Sequence, residues 1–269
     1  MTEDISAPKS TVAIFSGGLD STTMLYVLID GDWKITSAIT FYYGQKHKKE
    51  IEYARATCNK LGIKHHVIDL DASGMTAAFN EADTTRTLLS GSADAVPDGH
   101  YSELSMKATV VPNRNMIMIA IAGGIAVAEG AQSVAVGVHK GDHFIYPDCR
   151  EPFIGAAANA LVIGNEGFGD IRGIIAPYMN VDKTSVAMDA LLLNVPIHES
   201  WSCYKGEEIH CGRCGTCVER LEAIHDARIR LSEDKSDTIY PADLTEYADT
   251  TFWKEEVARV KAEEQNANI

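Results

Sequence analysis

The sequence predicts an α/β domain built on a parallel sheet, with a small cysteine-bearing lobe towards its carboxyl end. Three observations predict it. The apolar run Thr11-Val12-Ala13-Ile14 stops at Ser16-Gly17-Gly18 and gives way to the helix-like Ser21-Thr22-Thr23-Met24-Leu25-Tyr26-Val27-Leu28. Short apolar runs then alternate with helical segments, the rhythm of parallel strands joined by right-handed crossovers. From about residue 196 the composition changes to cysteine, glycine and charge.

In order, residues 1–10 form a polar tail, 11–15 a strand, 20–30 a helix and 35–42 a second strand. Gln45 through Leu61 is helical, and Lys64 to Leu70 is a third strand. Residues 71–110 are small and acidic with little periodicity, so a loop that can cover a site is expected there. A helix over 114–130 and a strand over 133–138 restore the alternation, a loop at 139–149 leads into a helix over 151–163, and Asp182 to Leu193 is a further helix. The expected division is a main domain over 10–195, a metal-binding lobe over 196–230 and a charged, helical tail over 231–269.

At 269 residues the chain is long enough to bury a substantial core. Its 45% hydrophobic and 23% charged residues are those of a folded globular protein. The net charge of −14 argues against a broad surface for a phosphate backbone, so nucleic acid is not the expected partner and a small molecule is. No basic and apolar signal segment opens the sequence. The longest apolar stretch, Met116 to Val127, is too short to span a bilayer. A cytoplasmic protein without membrane contact is expected, with its cysteines reduced.

The glycine turn is the most informative segment. In Phe15-Ser16-Gly17-Gly18-Leu19-Asp20-Ser21-Thr22 the glycines let the backbone bend so that its N–H groups approach a ligand closely. Ser21 and Thr22 fall in the first helical turn, where open donors and the positive dipole end attract an anion. This is a phosphate cradle, but not a Walker A loop, because no lysine follows the glycines.

Cys203, Cys211, Cys214 and Cys217 are four of the chain's six cysteines. Two Cys-x-x-Cys steps share Cys214, and four thiolates about 2.3 Å from an ion match structural Zn²⁺. An iron–sulfur cluster, redox cysteines, and His210 in place of one thiolate are the competing readings. A closed four-thiolate site leaves no open position for chemistry, so the metal would be scaffolding.

Three further segments fall at the carboxyl ends of strands, where such sheets bind ligands. Tyr42-Tyr43-Gly44-Gln45-x-His47-x-x-Glu50 follows the second strand; Gln45 and Glu50 serve either a nucleotide or a helix start. In Val111-Pro112-Asn113-Arg114-Asn115, Arg114 is either an anion ligand at a helix N-terminus or a solvated cation. In Tyr146-Pro147-Asp148-Cys149-Arg150, Asp148 can accept paired N–H bonds from a guanine-like edge, and Arg150 can pair with a carboxylate or phosphate. Lys183, in Asp-Lys-Thr-Ser, is either a phosphate or substrate cation or a helix-surface lysine.

Ser-Gly-Gly-x-Asp-Ser resembles the pyrophosphate loop of the N-type ATP pyrophosphatases. The ordered set, from that loop through Tyr-Gly-Gln-x-His-x-x-Glu, Val-Pro-x-Arg-Asn and Tyr-Pro-Asp-Cys-Arg to Ser202-Cys203-Tyr204 and Cys-Gly-x-Cys-x-x-Cys, resembles the 7-cyano-7-deazaguanine synthase (QueC) family over roughly residues 10–225. The resemblance implies a Rossmann-like sheet of the adenine nucleotide alpha hydrolase (PP-loop) type and an ATP-dependent ligase. Its substrates would be 7-carboxy-7-deazaguanine and ammonia, its product the nitrile preQ0, on the queuosine and archaeosine route. ATP, Mg²⁺ and Zn²⁺, a homodimer, and zinc on the four cysteines named above are implied with it.

On this resemblance Asp20, Ser21 and Lys183 are the expected catalytic residues. Residues Phe15 through Thr22, with Gln45 and Arg114, would hold ATP; Tyr43, His47, Asn115, Asp148 and Arg150 would hold the deazaguanine. The chain departs from the family pattern at Asn113, where glycine is commoner, at His139, where asparagine is usual, and over Asp142-His143-Phe144-Ile145, where Asp-Tyr-Ser-Gly is usual. These departures open the alternatives of a related enzyme that stops at the amide or adenylates another carbonyl. Further readings are a tRNA-modifying pyrophosphatase and a zinc-knuckle module in a defence or regulatory assembly.

Overall fold

A computed structural model describes residues 9–45, 48–70, 96–101, 110–111, 113–233, 240 and 242–267. The chain runs β1 (Ser10–Ile14), α1 (Leu19–Asp30), β2 (Lys34–Tyr42), α2 (Lys49–Leu61), β3 (His65–Asp69), α3 (Arg114–Glu129), β4 (Ser133–Ala135), α4 (Glu151–Gly164), β5 (Gly173–Ile175), α5 (Lys183–Leu192), α6 (Gly215–Glu233) and α7 (Phe252–Ala267).

The five strands pair in the order β3-β2-β1-β4-β5, all parallel. Strand β1 is central because its side chains are apolar or small on both faces, as a doubly covered strand requires. Val12 packs into a core with Ile39, Met118, Ile119 and Ile154. Its neighbour Ala13 joins Phe15, Met24, Leu25 and Ala54 on the other face, the period-two alternation of a strand. The chain leaves β1 towards β2 and later returns on its other side at β4. That reversal opens a crevice at the carboxyl ends of the two strands.

The alternation anticipated from the sequence is present, with shorter edges. Strand β4 ends at Ala135 rather than 138; the Val136 N–H still donates to the Ile175 carbonyl at 2.8 Å, and Gly137 then packs against Ser21 at the start of α1. The expected loop over 71–110 lies mostly outside the described residues. Within it Asp98 bridges to Cys214, and Gly99 N–H donates to the Arg213 carbonyl at 3.1 Å.

Beyond the cysteines the chain enters α6, whose Val218 packs against Trp253 and Val257 of α7. Arg220 is fully buried and donates to Ser200 Oγ (2.8 Å), the Ile197 carbonyl (2.7 Å), Thr245 Oγ1 (3.0 Å) and the Tyr247 hydroxyl (2.9 Å). One guanidinium thus joins the approach to the cysteines and the last segment of the chain, with its donors shared among several acceptors as its fork geometry allows. Among the described residues no helix is long and apolar enough to cross a membrane.

Glu129, the last residue of α3, holds the sheet edge by accepting from Lys64 Nζ at 2.7 Å and from His66 Nε2 at 3.1 Å. Burial alone raises its carboxyl, but these hydrogen bonds outweigh it and bring the group down from 4.5 to about 2. A depressed carboxylate stabilises the fold above its unfolded value, and the contribution is lost as pH falls through the folded value. Glu129→Gln should therefore cost about 1–3 kcal/mol at neutral pH. The gap from the unaltered protein should close between about pH 4.5 and pH 2, as urea titrations across that range would register.

Candidate active site

The turn after β1 is shaped by its glycine. Gly17 has φ +85°, and a Cβ there would lie 2.5 Å from the Glu50 carbonyl and 2.9 Å from the Ala54 nitrogen. A side chain is therefore excluded twice, by conformation and by space. The Gly17 carbonyl accepts the Trp201 N–H at 2.9 Å, which ties the loop to the segment entering the cysteines. Ser16 Oγ and Ser21 Oγ lie 3.1 Å apart across the bend. Helix α1 starts on Gly18, which offers no side-chain cap, so its first turn presents backbone donors to a ligand.

Behind this turn lies a buried charged group drawn from four elements. Lys183, the first residue of α5, places Nζ 2.9 Å from Asp20 Oδ2 and 3.0 Å from Glu219 Oε2 of α6. Burial works against both charges of the nearer pair. Lys183 and His139 nevertheless hold the Asp20 carboxyl below its usual range, and Asp20 and Glu219 hold the Lys183 ammonium well above its own. Burial raises the Glu219 carboxyl. His139 Nε2 lies 3.6 Å from Asp142 Oδ1 and 4.0 Å from both Asp20 and Glu219, while its Nδ1 accepts the Gly141 N–H at 3.1 Å. Asp20 Oδ1 is buried without a hydrogen-bond partner.

From this charged floor an open cleft of about 1030 Å³ extends between the strand ends and an aromatic wall. Phe15, Ser16, Asp20, Ser21, Gln45 and Arg114 of the anticipated nucleotide residues line it, as do Tyr43 and Asn115. Arg114 is half-buried between Tyr43 and Tyr146, at 5.9 Å and 5.6 Å from the ring centres. Gly17, Gly18, Leu19 and Thr22 complete the loop, with Leu19 and Thr22 turned into the protein. Gln45 is also a structural clamp: its Oε1 accepts the Tyr43 N–H at 2.7 Å and its Nε2 donates to the Phe41 carbonyl at 2.9 Å.

Asp148 and Arg150 do not line the cleft. The Asp148 carboxylate accepts the Asn115 backbone N–H at 3.0 Å and so caps α3, while Arg150 donates to the His143 carbonyl at 2.8 Å from an exposed position. His47 lies outside the described residues. Sequence reasoning gave no site role to Tyr101, His139, Asp142, Tyr204 or Glu219; His139 and Asp142 entered only in the departures from the family pattern, and Tyr204 only beside Cys203 in its motif. Tyr101 and Asp142 meet through a 3.2 Å hydrogen bond, and Tyr204 follows Cys203 directly. Only that adjacency could have drawn attention to Tyr204, and nothing in the spacing sets Glu219 opposite Lys183.

The backbone explains one departure noted above. Asn113 has φ +57°, a conformation that glycine adopts freely and that asparagine tolerates better than most residues. At His139 the imidazole caps the short turn Lys140–Phe144.

The four cysteines converge as their spacing anticipates. Ligand atoms of Cys203, Cys211, Cys214 and Cys217 lie within 4.8 Å of one another and are buried. Backbone N–H groups of Cys211, Arg213 and Cys214 point at sulfurs, at 3.4, 3.4 and 3.2 Å. His210 is not among them. Its Nε2 accepts the Ser202 N–H at 3.1 Å, its ring lies 4.3 Å from Trp201, and burial pushes it down to about 3.

A glycine turn at the strand-order reversal of a parallel sheet, beside a four-cysteine cluster, defines a parallel α/β protein with a candidate ligand cleft. The chain belongs to the QueC family: the family model described as "Queuosine biosynthesis protein QueC" matches residues 10–228. The chain is 44% identical to a 7-cyano-7-deazaguanine synthase of Rhizobium etli, over 94% of this chain and 98% of that one. It is 45% identical to the 7-cyano-7-deazaguanine synthase of Agrobacterium fabrum, over 90% and 94% respectively. A solved NH3-dependent NAD synthetase from Campylobacter jejuni aligns at a TM-score of 0.42 and 15% identity, covering 95% and 86% of the two chains; at this distance the similarity bears on no residue of the site.

Gly17→Ala forces a Cβ against α2 at a left-handed position, so it should cost about 1–3 kcal/mol. It should also weaken ATP binding sharply. Thermal melts and an equilibrium titration with ATP check both; a variant with native stability and native affinity would remove the loop from the site.

Proposed function

We propose that this chain is a 7-cyano-7-deazaguanine synthase, joining ammonia to 7-carboxy-7-deazaguanine at the expense of ATP and dehydrating the amide to the nitrile. The observation that carries the reading is the cleft. It joins a backbone cradle for phosphates to a half-buried arginine and an aromatic wall, and it does so in a chain similar over its length to enzymes of that name.

A carboxylate is a poor electrophile because its oxygen is a poor leaving group, and transfer of AMP corrects this. In this reading the N–H groups of Gly17 to Thr22 hold the departing pyrophosphate, offering donors where charge develops. Arg114 holds the substrate carboxylate, and Tyr43, Tyr146 and Tyr204 flank the flat ring system. Lys183 is kept charged and oriented by Glu219, so it is available to phosphate oxygens when Asp20 turns to another cation. Ammonia displaces AMP to give the amide; adenylation of the amide oxygen and loss of a second AMP give the nitrile. Of the run Asp142-His143-Phe144-Ile145 only Asp142, which the family pattern shares, lines the cleft, so the departures at His143 to Ile145 leave that lining unchanged.

Two metals fit the residues present. The orphaned Asp20 Oδ1 is an oxygen ligand suited to Mg²⁺, which would neutralise phosphate charge. The cysteine set is that of a closed Zn²⁺ site, held by Cys203, Cys211, Cys214 and Cys217, where the ion would fix the segment from Trp201 to α6. A homodimer in the cytoplasm, with free ammonia as nitrogen donor, completes the proposal.

Incubation with ATP, Mg²⁺, ammonium and 7-carboxy-7-deazaguanine should give the nitrile, AMP and pyrophosphate by mass spectrometry. Amide alone would cut the reaction short, and ADP would overturn the mode of cleavage. Asp20→Ala should lower turnover at least about 10²-fold at an unchanged melting temperature, because Lys183 keeps Glu219 as partner.

Cys214→Ser should lose zinc by metal analysis and melt at lower temperature, since the binding energy of such a site is folding energy.

A further inference from the structure

The cleft wall is not carried by the sheet alone. Tyr101 lines the cleft from a short segment, residues 96–101, that reaches it from the side of the cysteines. The Tyr101 hydroxyl donates to Asp142 Oδ1 at 3.2 Å, and its ring packs with Ile145, Tyr146 and Cys149. At the other end of the segment Val96 packs among Trp201 and the four clustered cysteines. A short length of chain thus runs between two separate apolar clusters, one under the cysteines and one behind the cleft.

Asp98 fixes that length midway. Its Oδ1 lies 2.7 Å from Lys205 Nζ, and its Oδ2 accepts from Arg213 Nε at 3.1 Å. The backbone repeats the connection: Asp98 bridges to Cys214, and the Gly99 N–H donates to the Arg213 carbonyl at 3.1 Å. Lys205 follows Tyr204, which also lines the cleft, and Arg213 stands between Cys211 and Cys214. One carboxylate therefore takes a cation from each side of the cysteine cluster, just before the chain reaches Tyr101.

With Asp98 at 35% and Arg213 at 43% exposure, these ion pairs add little to stability. What they supply is direction. A backbone free to shift at Asp98 would carry the Tyr101 ring with it, and a displacement of about 1 Å in a positioning group is costly. Resting on the proposed function above, we infer that Asp98 is a positioning residue for the deazaguanine acid. It holds Tyr101 against Asp142, so the wall is set for a flat ring before the ring arrives. Asp98 itself does not line the cleft and acts through Tyr101.

Asp98→Ala in the full-length protein, assayed with ATP, Mg²⁺, ammonium and 7-carboxy-7-deazaguanine, tests this. The KM for the acid should rise about tenfold or more, while kcat and the KM for ATP stay within about threefold. In a Tyr101→Ala background Asp98→Ala should add less than about twofold to the KM for the acid, because residues that act through one another are not additive. An unchanged KM for the acid, a parallel loss in kcat or in the KM for ATP, or the full Asp98 effect in the absence of Tyr101 would each overturn the inference. No turnover of this acid by the unaltered protein would overturn the proposed function, and the inference with it. Should Asp98→Ala fail to fold, Asp98→Asn keeps the side-chain volume, removes the charge and is read by the same outcomes.

Discussion

The buried Lys183 ammonium, held between Asp20 and Glu219, is the interaction on which the rest of the molecule turns. It joins the first turn of α1, the start of α5 and the helix that follows the cysteines. Each charge is set in the protein at a cost, offset chiefly by the others, with His139 adding to the hold on both carboxylates. Removing Lys183, the cation that both carboxylates share, would leave charge uncompensated, typically a penalty of about 3–5 kcal/mol, whereas without either carboxylate the lysine keeps the other. Three elements distant in sequence are therefore kept in one arrangement by a constraint that no apolar contact could impose with the same directionality. The glycine turn after β1 inherits that arrangement.

The aromatic wall depends on the same connection. Trp201 donates to the Gly17 carbonyl, and three residues later Tyr204 lines the cleft. Between them stands Cys203, so the cysteine cluster and the cleft wall are consecutive parts of one segment. From the other side Asp98 meets Lys205 at 2.7 Å and Arg213 at 3.1 Å, and Tyr101 follows it into the cleft. The segment around the cysteines thus helps shape the cleft wall.

Much of this was legible in the sequence because local rules carried it. The strand, glycine bend and helix at residues 10–30 follow from composition and conformational freedom, and the four cysteines announced their own convergence through spacing. Arg114 and Lys183 were visible as cations at helix starts, which is where the structure has them. What escaped was long-range. Asp148 has the chemistry to read a base, but a closer claim on its oxygens comes from the N-terminus of α3. Glu219 and Asp142 are ordinary acids in the sequence and acquire meaning only when folding brings them within reach of Lys183 and His139.

The segment after α6 gives the fold an unexpected boundary. Gly212, at φ +74°, lies so close to the Asp249 backbone that no side chain fits between them, and Arg213 is gripped by Asp249 at 3.1 Å and covered by the Phe252 ring at 4.0 Å. The knuckle is closed from outside by chain that lies past residue 228, where the family match stops. A fragment trimmed to that match would keep every thiolate yet lose the clasp that holds their turn in shape.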